Sequence, residues 1–460
     1  MLNDHSTNID DNQERQRPSA SSSKECLSLF CLGTCAWALV NGIFAELPIL
    51  IRDWCNNDWS IVSNIALCIS LSNLAPFLWT VFHSTSDRGD GTTTNYSAVI
   101  GIGFLLAFGT MTSLFFILLH NDGDFVLFSG KAWILLLSAC SGLVGTMSLV
   151  LFYPRATAFS SNTKAIPSLA NGTAMANFLL AIVAMIQNPG GSNPNFSLST
   201  YFTTVAFVFV ISVMGFIGTI VLLVEQKKKN KNSEELKLLL SKQYSSVAAE
   251  ETSMNSASHR ISASSSTSSR FVVCDPRFRI PYLIQFLWNF AVFFLPGVVP
   301  YAVKSIPGNG SPLALSYLTI SQLLSHTIGT ALTSIISFQH QKGDNDDYRL
   351  TMGFGLAIAL FWVPLVFRFC IWGTTYFLVS LIPIAMNAIL CGCYSYTSTR
   401  CFQIVASRAR NTPATESTIT VDQQQKQEQQ EYVTRIMGVV HQLGAMIGSA
   451  FGFWMVTKLK

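Results

Sequence analysis

Residues 201–224 read YFTTVAFVFVISVMGFIGTIVLLV and contain no charged side chain. Roughly 20 apolar residues in a row are enough for an α-helix to cross the hydrocarbon core of a bilayer, and this stretch reaches that length. Lys227, Lys228, Lys229 and Lys231 follow directly, and loops with such positive charge stay on the cytoplasmic side. The stretch therefore predicts a membrane-spanning helix whose C-terminal end faces the cytoplasm.

The composition of the whole chain supports a membrane protein. Of its 460 residues, 50% are hydrophobic and only 12% are charged, whereas soluble proteins carry about twice that charged fraction. Apolar stretches of spanning length recur along the chain, which predicts an all-α integral membrane protein with about eleven transmembrane helices. The expected spans are 27–51, 60–83, 97–119, 131–153, 166–187, 201–225, 278–302, 313–338, 350–368, 374–402 and 433–457.

One long polar segment divides the expected spans into six and five. Residues 226–277 are rich in Ser, Lys and Glu, so we expect a cytoplasmic low-complexity linker there. It would join an N-terminal six-helix bundle (27–225) to a C-terminal five-helix bundle (278–460), as in transporters built from repeated halves. Residues 1–26 and 406–431 are also polar, and we expect both to be disordered and cytoplasmic.

Basic residues in the short loops indicate how the chain is oriented. Counting spans back from the lysine run puts the N-terminus in the cytoplasm, and an odd number of spans puts the C-terminus outside. Arg155 and Lys164 agree with this orientation, whereas Lys458 opposes it. Asn195, in the triplet Asn-Phe-Ser, then lies in an outward-facing loop, where it is either a glycosylation site or a chance match to the sequon.

The first span contains a carboxylate, Glu46, although a charged group inside a bilayer costs roughly 2.5–3.5 kcal/mol on insertion scales. One interpretation is that Glu46 contacts a ligand or a proton inside the bundle. The other is that it lies at the membrane surface, since Pro48 and Arg52 indicate that the end of the helix is near.

Helical geometry separates Glu46 from its neighbours in the first span. Trp37, Asn41 and Phe44 share one helix face, whereas Glu46 points roughly 140° away from Asn41. Pro48 removes the hydrogen bond to the carbonyl of Phe44. A helix broken before Pro48 could therefore bring Glu46 round to the face of Asn41, which a straight helix could not do.

Other spans also carry polar side chains that need partners in the membrane. Asn73 lies in the second span with Pro76 close behind, and its amide would bond either another helix or a substrate. The remaining polar candidates, most of which we expect to bond between helices, are Asn171, Asn177, Gln285, Asn289, Gln322, Asn387, His441 and Gln442. The aromatic residues on which a planar ligand could stack include Trp37, Phe44, Trp79, Phe152, Trp288, Tyr317, Tyr394 and Tyr396.

Gly444, Gly448 and Gly452 recur every four residues in the last span, and such a stripe of small residues favours close helix packing.

Several other functions are disfavoured by the motifs of the chain. The sequence has no phosphate-binding loop, no His-Glu-x-x-His and no Gly-x-Ser-x-Gly. Its basic residues form no patch interleaved with aromatic residues. We therefore expect no enzyme activity, no metal site, no nucleotide hydrolysis and no nucleic-acid binding.

The first span also carries a recognisable motif. Residues 37–48 resemble the pattern Trp-x-x-x-Asn-Gly-[Ile/Leu]-Trp-x-Glu-Leu-Pro of the riboflavin transporters, with Phe44 in place of the second tryptophan. Shorter motifs similar to those of the same family follow in order along both halves of the chain. They lie at 73–76, 152–154, 392–396 and 442–448. The sequence departs from the family at 170–173 and at 292–296, where a polar group is absent near Val292.

This resemblance to the solute carrier family of eukaryotic plasma-membrane riboflavin transporters implies about eleven helices, a cytoplasmic N-terminus and an extracellular C-terminus. It also implies facilitative uptake of riboflavin by alternating access, with riboflavin as the substrate and no cofactor. The flavin would stack on Trp37 or Phe44, and Asn41, Asn73 and Gln442 would bond its polar edge or ribityl chain. The expected substrate-binding residues are Trp37, Asn41, Phe44, Glu46, Asn73, Asn171, Tyr317, Tyr396 and Gln442.

Two alternative functions are compatible with the sequence. The chain could transport another planar polar solute, such as a nucleoside, and competition by nucleosides but not by flavins would indicate this. It could instead be a membrane receptor that transports nothing and signals through residues 226–277. Saturable binding without net flux would identify a receptor.

Overall fold

The computed structural model describes residues 20–86, 93–121, 130–157, 159, 164–248, 275–304, 306, 310–339, 377–410 and 419–459. Across these ranges the chain is helical, without any β-strand. The helices are α1 (Ala20–Gly33), α2 (Ala38–Ala45), α3 (Leu47–Ile49), α4 (Ser60–Leu71), α5 (Leu74–Ser86), α6 (Thr93–Asn121), α7 (Gly130–Thr157), α8 (Ala165–Gln187), α9 (Leu198–Ala248), α10 (Pro276–Lys304), α11 (Gly310–Gln339), α12 (Phe377–Arg410) and α13 (Ile419–Leu459).

The protein is an all-α integral membrane protein, as expected. Among the described residues, 7 helical segments are long and apolar enough to cross a membrane, or 8 if the bent pair formed by α1 and α2 counts as one span. The expected number of about eleven spans is not confirmed by this count. The expected span at 350–368 lies outside the described residues, and α11 and α12, at the expected spans 313–338 and 374–402, are not among the 7.

The first span is broken twice. One break falls at Glu46, which ends α2 and precedes α3 with φ −90° and ψ 3°. Pro48 lies in the first turn of α3, and the break agrees with the distortion that this proline led us to expect. After α3 the chain continues as a π-helical turn, Leu50–Trp54.

The other break, between Gly33 and Ala38, was not expected from the sequence. The axes of α1 and α2 differ by 43° there. Ser212 of α9 fills the gap in the backbone hydrogen bonding, because its hydroxyl accepts from the Cys35 amide at 3.0 Å and can donate to the Cys31 carbonyl at 3.0 Å. A polar side chain that inserts into the helical ladder is a common cause of a kink.

The second span is also interrupted, by two residues. Helix α4 ends at Leu71 and α5 begins at Leu74, so Ser72 and Asn73 lie between them. The Ser72 hydroxyl donates to the carbonyl of Ala139 in α7 at 2.8 Å. This bond fixes the interruption against α7 and keeps the Asn73 side chain in the interior of the protein.

Helix extends into three segments that we expected to form a linker or to be disordered. Helix α9 continues past residue 225 into the expected linker and ends at Ala248. Helix α1 begins at Ala20, and α12 and α13 cover 406–410 and 419–431. These segments contain many Lys, Glu, Gln, Leu and Ala residues, which are good helix formers. Their polar composition was therefore not sufficient to predict a loop.

The glycine stripe of α13 serves helix packing, as expected. A Cβ atom at Gly444, Gly448 or Gly452 would collide with a main-chain carbonyl oxygen of α10, in Phe286, Phe290 and Phe294 respectively. Only glycine therefore allows α13 to lie this close to α10.

Residues 20–248 form the first half of the protein and residues 275–459 the second half, and the halves touch at both ends of the bundle. At the Trp59 end, the Tyr301 hydroxyl donates to the Trp59 carbonyl at 3.1 Å. At the Tyr153 end, the Tyr153 and Phe402 rings stack with centroids 4.3 Å apart. Helix α7 runs from one end to the other, because Lys131 near its start pairs with Asp58 at 2.8 Å.

Candidate functional site

Trp37 lies at the first break of the first span and touches both halves of the protein. Its ring centroid is 5.8 Å from that of Phe293 in α10, with the planes tilted by 50°. On the other side it packs on Gly145 of α7, where a Cβ atom would lie 3.0 Å from Trp37 Cε3. The missing side chain of Gly145 therefore makes room for the indole ring.

Thr146, the next residue in α7, connects two further residues to this place. Its hydroxyl donates to the Ser72 carbonyl at 3.2 Å, directly before Asn73. Its own carbonyl accepts a hydrogen bond of 3.0 Å from Gln442 Nε2 of α13. Trp37, Asn73 and Gln442, three of the residues expected to bind substrate, are thus brought together around residues 145–146. We call this group, with Phe293, the Trp37 cluster.

Asn73 and Gln442 are almost completely buried, with exposed fractions of 4% and 2%. Nevertheless Asn73 Oδ1 and Gln442 Oε1 form no hydrogen bond to any described residue. An unsatisfied buried polar atom costs about 1–3 kcal/mol. Such atoms are uncommon in folded proteins and call for an explanation.

A polar network in the second half borders the Trp37 cluster. Phe293 meets the rings of Tyr394 and His441 edge-on, at centroid distances of 6.5 and 6.1 Å. The Tyr394 hydroxyl donates to Asn289 Oδ1 at 2.8 Å, and Gln285 Nε2 lies 2.7 Å from His441 Nδ1.

The protonation state of His441 follows from these contacts. Because Gln285 Nε2 can only donate, His441 Nδ1 must accept, which places the ring proton on Nε2. The Nε2 proton points to the Tyr394 hydroxyl, 3.3 Å away. Turning the Gln285 amide round would put the ring proton on His441 Nδ1 and leave Nε2 without a donor, because the Tyr394 hydroxyl already donates to Asn289 Oδ1. The present orientation therefore satisfies more groups.

Of the two tyrosines of α12 named from the sequence, Tyr394 is the one whose ring contacts Phe293. Tyr396, the one expected to bind substrate, is half-buried, and its role stays a prediction. Residues two apart on a helix point in different directions. Gln285 and Asn289, one turn apart on α10, were polar candidates, and their shared face was the signal that pointed to this network.

Glu46 lies away from the Trp37 cluster. Its exposed fraction is 0%, which disfavours the alternative of a residue at the membrane surface. Gln187 of α8 and Tyr201 of α9 lie close enough to interact with it, but neither carboxylate oxygen makes a hydrogen bond of acceptable geometry with a described residue. Gln187 Nε2 donates to the Phe196 carbonyl at 3.2 Å, and Gln187 Oε1 is left without a donor.

The other expected site residues have separate surroundings. Asn41 Nδ2 donates to Asn177 Oδ1 at 2.6 Å, and Asn171 Nδ2 donates to Ser334 Oγ at 2.8 Å, so both amides bond between helices. Phe44 is half-buried against the hydrophobic core. Tyr317 of α11 has an exposed fraction of 47%. The structure does not place these four residues in the Trp37 cluster.

The polar groups near the Trp59 end are structural. Asp58 accepts hydrogen bonds from Lys131 Nζ at 2.8 Å and from the Ser60 amide at 2.9 Å, and both lower the pKa of its carboxyl.

Asn195 is exposed, but its amide nitrogen donates to the Ile186 carbonyl at 2.5 Å; its glycosylation stays a prediction. Among the described residues, no group of three or more His, Cys, Asp or Glu side chains could hold a metal ion.

Comparison with known proteins identifies relatives over the first part of the chain. Residues 24–193 match the model of the family "Solute carrier family 52, riboflavin transporter". The chain is 31% identical over 167 residues to riboflavin transporter member 3 of Homo sapiens, covering 35% of this chain and 33% of the relative. It is 30% identical over 162 residues to member 3 of Ailuropoda melanoleuca, covering 34% and 32%. The match spans about a third of the length of these curated relatives.

A solved structure resembles the chain over nearly its whole length. A mutant of the nucleoside transporter NupG superimposes with a TM-score of 0.51 at 10% sequence identity, covering 94% of this chain and 92% of that one. At this identity the similarity shows that the two chains share a fold. Over residues 24–193, which contain Trp37, Asn41, Glu46 and Asn73, the chain matches the riboflavin transporter family, the family that its first-span motif resembles.

Proposed function

We propose that this protein carries riboflavin across the plasma membrane by facilitative transport, without nucleotide hydrolysis and without a cofactor. The main support is that the region matched by the riboflavin transporter family holds Trp37 and Asn73. Ser72, the residue before Asn73, and Gln442 of the second half both bond Thr146, and Trp37 packs on the adjacent Gly145. A site built from both halves is what alternating access requires, because the ligand is then released when the halves rearrange.

The flavin ring would stack on Trp37. At present the Trp37 and Phe293 centroids are 5.8 Å apart. An aromatic ring held between two others needs about 3.5 Å on each side, so the two rings must separate before a flavin can lie between them. The described conformation is thus closed at this point, and binding would be coupled to movement of α10 away from the first half.

Access would alternate between the two ends of the bundle. At the Trp59 end the halves are joined by the bond from Tyr301 to Trp59, and at the Tyr153 end by the stack of Tyr153 on Phe402. Opening one end requires only its own contact to break while the other holds. We propose that the N-terminus lies in the cytoplasm and the C-terminus outside; epitope tags at the two ends should then differ in antibody access on intact cells.

Glu46 would have a role separate from ring stacking. Gln187 and Tyr201 lie close enough to interact with it. A proton on Glu46 would provide a hydroxyl that could donate to Gln187 Oε1, the neighbouring acceptor that lacks a donor. We therefore favour binding of a proton at Glu46 over direct contact with the flavin ring.

Uptake of labelled riboflavin by transport-deficient cells that express the protein tests this function. We expect saturable uptake that unlabelled riboflavin suppresses and adenosine does not. Suppression by adenosine alone would support a nucleoside transporter, and saturable binding without flux would support a receptor. A protein that reaches the cell surface and takes up no riboflavin would contradict the proposal.

A further inference from the structure

The loop between α8 and α9, residues 188–197, is fastened to the end of α8 by three hydrogen bonds. The main-chain amide of Asn195 donates to the Gln187 carbonyl at 2.9 Å, and the Asn195 side chain donates to the Ile186 carbonyl at 2.5 Å. The third bond runs from Gln187 Nε2 to the Phe196 carbonyl at 3.2 Å. Gln187 therefore holds the far end of the loop with both its main chain and its side chain.

The same loop touches the second half of the protein at the Trp59 end. Gly190 lies against the start of α11, where a Cβ atom would come within 2.6 Å of the Pro312 carbonyl oxygen and 2.7 Å of Leu313 Cα. From the first span, Arg52 donates to the Gly191 carbonyl at 3.1 Å. The loop thus fills the space between the first span and α11, so a shift of the loop alters how α11 rests on the first half.

The orientation of the Gln187 amide is determined by chemistry. Its Nε2 faces a carbonyl oxygen, which cannot donate, so Oε1 is the atom left without a donor. Gln187 and Glu46 are both completely buried, with exposed fractions of 0%, and they lie close enough to interact. A protonated Glu46 can donate to Oε1, and both side chains then have a partner while Phe196 keeps its own.

An ionised Glu46 makes a different demand on the same amide. A carboxylate can only accept, and the only donor in the Gln187 side chain is Nε2. Neither Glu46 oxygen accepts from that nitrogen in the present geometry, so the amide must turn and its nitrogen must leave Phe196. The exchange favours Glu46, because a hydrogen bond to a charged acceptor is roughly twice as strong as one to a neutral acceptor. Turning the amide also sets Oε1 against the Phe196 carbonyl oxygen.

The ionisable groups around Glu46 come from few elements. On α9, Tyr201 lies close enough to interact with the carboxyl, and beyond α3 Arg52 pairs with Asp53 at 2.6 Å. Helix α8 has no ionisable residue. Helices α7 and α11 also pack against α2, and their ionisable residues are Lys131, Cys140, Tyr153, Arg155, Tyr317 and His326. Gln187 is the neighbour of Glu46 whose side chain also bonds the 188–197 loop.

We infer that the Gln187 side chain couples Glu46 to closure of the Trp59 end. With a proton on Glu46, Gln187 holds the 188–197 loop against α11 and this end is closed. With Glu46 ionised, the amide turns to the carboxylate, Phe196 is released, and the loop and α11 are free to separate. Gln187 is thus a positioning residue, and the inference rests on the proposed transport function and the proton proposed at Glu46.

Closure of the Trp59 end can be followed with a cysteine in place of Ser311. Ser311 precedes Pro312, has an exposed fraction of 6% and is close to cysteine in size. The full-length protein with Ser311→Cys is placed in lipid nanodiscs at alkaline pH, and its rate of labelling by a membrane-impermeant maleimide is measured. The protein without this substitution gives the background from the native cysteines. All variants are compared at one pH, so the reactivity of the thiol itself cancels.

Two substitutions are combined in this background. Glu46→Gln imitates the protonated carboxyl, because its amide can donate to Gln187 Oε1. It should slow labelling about twofold to tenfold, the range expected for one hydrogen bond. Gln187→Met removes the coupling, so labelling should be fast and Glu46→Gln should no longer change it. Such dependence of one substitution on another identifies residues that act together.

Gln430→Met is the matched control. Gln430 is also a buried glutamine that donates to a carbonyl oxygen, that of Ala406 at 3.0 Å. Its loss should leave the effect of Glu46→Gln on labelling intact. Gln187→Asn is a second test of the coupling if Gln187→Met does not fold, because its shorter side chain cannot reach from Phe196 to Glu46 and should also abolish the effect.

Two results would overturn the inference. If Glu46→Gln leaves the labelling of Ser311→Cys unchanged, Glu46 does not control this end of the protein. If Glu46→Gln slows labelling equally with and without the Gln187 side chain, Glu46 acts by another route. Labelling needs no riboflavin, so a protein that takes up no riboflavin would contradict the proposed function and leave the labelling result as it is.

Discussion

Gln442 and Thr146 are joined by a hydrogen bond of 3.0 Å that runs from a helix of the second half to a helix of the first. The bond ends on a main-chain oxygen, so it persists whatever side chain occupies position 146. It lies one residue from Gly145, which supports Trp37. Any movement of α13 relative to α7 therefore alters the surroundings of Trp37 at the same time.

Replacement of Trp37 by leucine should weaken riboflavin uptake. The indole provides the stacking surface, and an aromatic pair contributes about 0.5–1.5 kcal/mol beyond its buried area. The riboflavin concentration for half-maximal uptake should rise about twofold to tenfold. Trp454→Leu is the control, since Trp454 is 53% exposed on α13 and stacks on Phe451. Equal uptake kinetics for both variants would contradict a role for Trp37.

Removal of the Tyr394 hydroxyl should disturb the network of the second half. In Tyr394→Phe, Asn289 Oδ1 loses its donor at 2.8 Å, and His441 loses the acceptor of its ring proton. We expect a lower maximal rate of uptake and a loss of stability of about 1–3 kcal/mol. Tyr282→Phe removes another buried hydroxyl of the second half, one that donates to the Val433 carbonyl. A similar fall in stability without a fall in rate is expected there, and matching rates in the two variants would count against a functional network.

Glu46→Gln tests whether the buried carboxyl exchanges a proton during transport. Glutamine keeps the shape of the side chain and cannot titrate, so uptake by this variant should lose whatever dependence on external pH the unaltered protein shows. The measurement is the initial rate of riboflavin uptake at a series of pH values. Glu225→Gln changes an exposed carboxylate of α9 and should keep the original profile. A profile unaffected by Glu46→Gln would remove this residue from the mechanism.

Gly448→Ala should destabilise the contact between α10 and α13. The new Cβ atom would collide with the Phe290 carbonyl oxygen, and overpacking of this kind costs about 1–3 kcal/mol. We expect a lower apparent Tm of the detergent-solubilised protein and less protein at the cell surface. Gly103→Ala is a suitable comparison, because a Cβ there meets Phe216 Cε1 at an ordinary 3.6 Å. Equal Tm values would show that α13 can move away from α10 without cost.

The sequence predicted the fold class and the packing role of the glycine stripe, because both follow from local chemistry. Pro48 indicated that the first helix could be broken before it, and the structure has a break at Glu46. Trp37, Asn73 and Gln442 were predicted as site residues, and their role stays a prediction. Trp37, Gln442 and Ser72, the residue before Asn73, all contact residues 145–146 of α7. The sequence could not show that Tyr394, of the two tyrosines named in α12, contacts Phe293, because the face of α12 that turns inward depends on packing against α10 and α13. The break at residues 34–37 depends on Ser212, which lies far away in sequence, so no local pattern could have revealed it.

Helix α2 is only 8 residues long and has a break at each end. Trp37 precedes its first residue and Glu46 follows its last, so the indole and the buried carboxyl sit on opposite ends of one short rigid rod. Because both breaks can act as pivots, a flavin that pushes on Trp37 would tilt the rod and displace Glu46 relative to Gln187. Binding of a ligand at Trp37 would then change the surroundings of the Glu46 carboxyl and so its protonation. The two residues would be coupled through α2, which is less than three turns long.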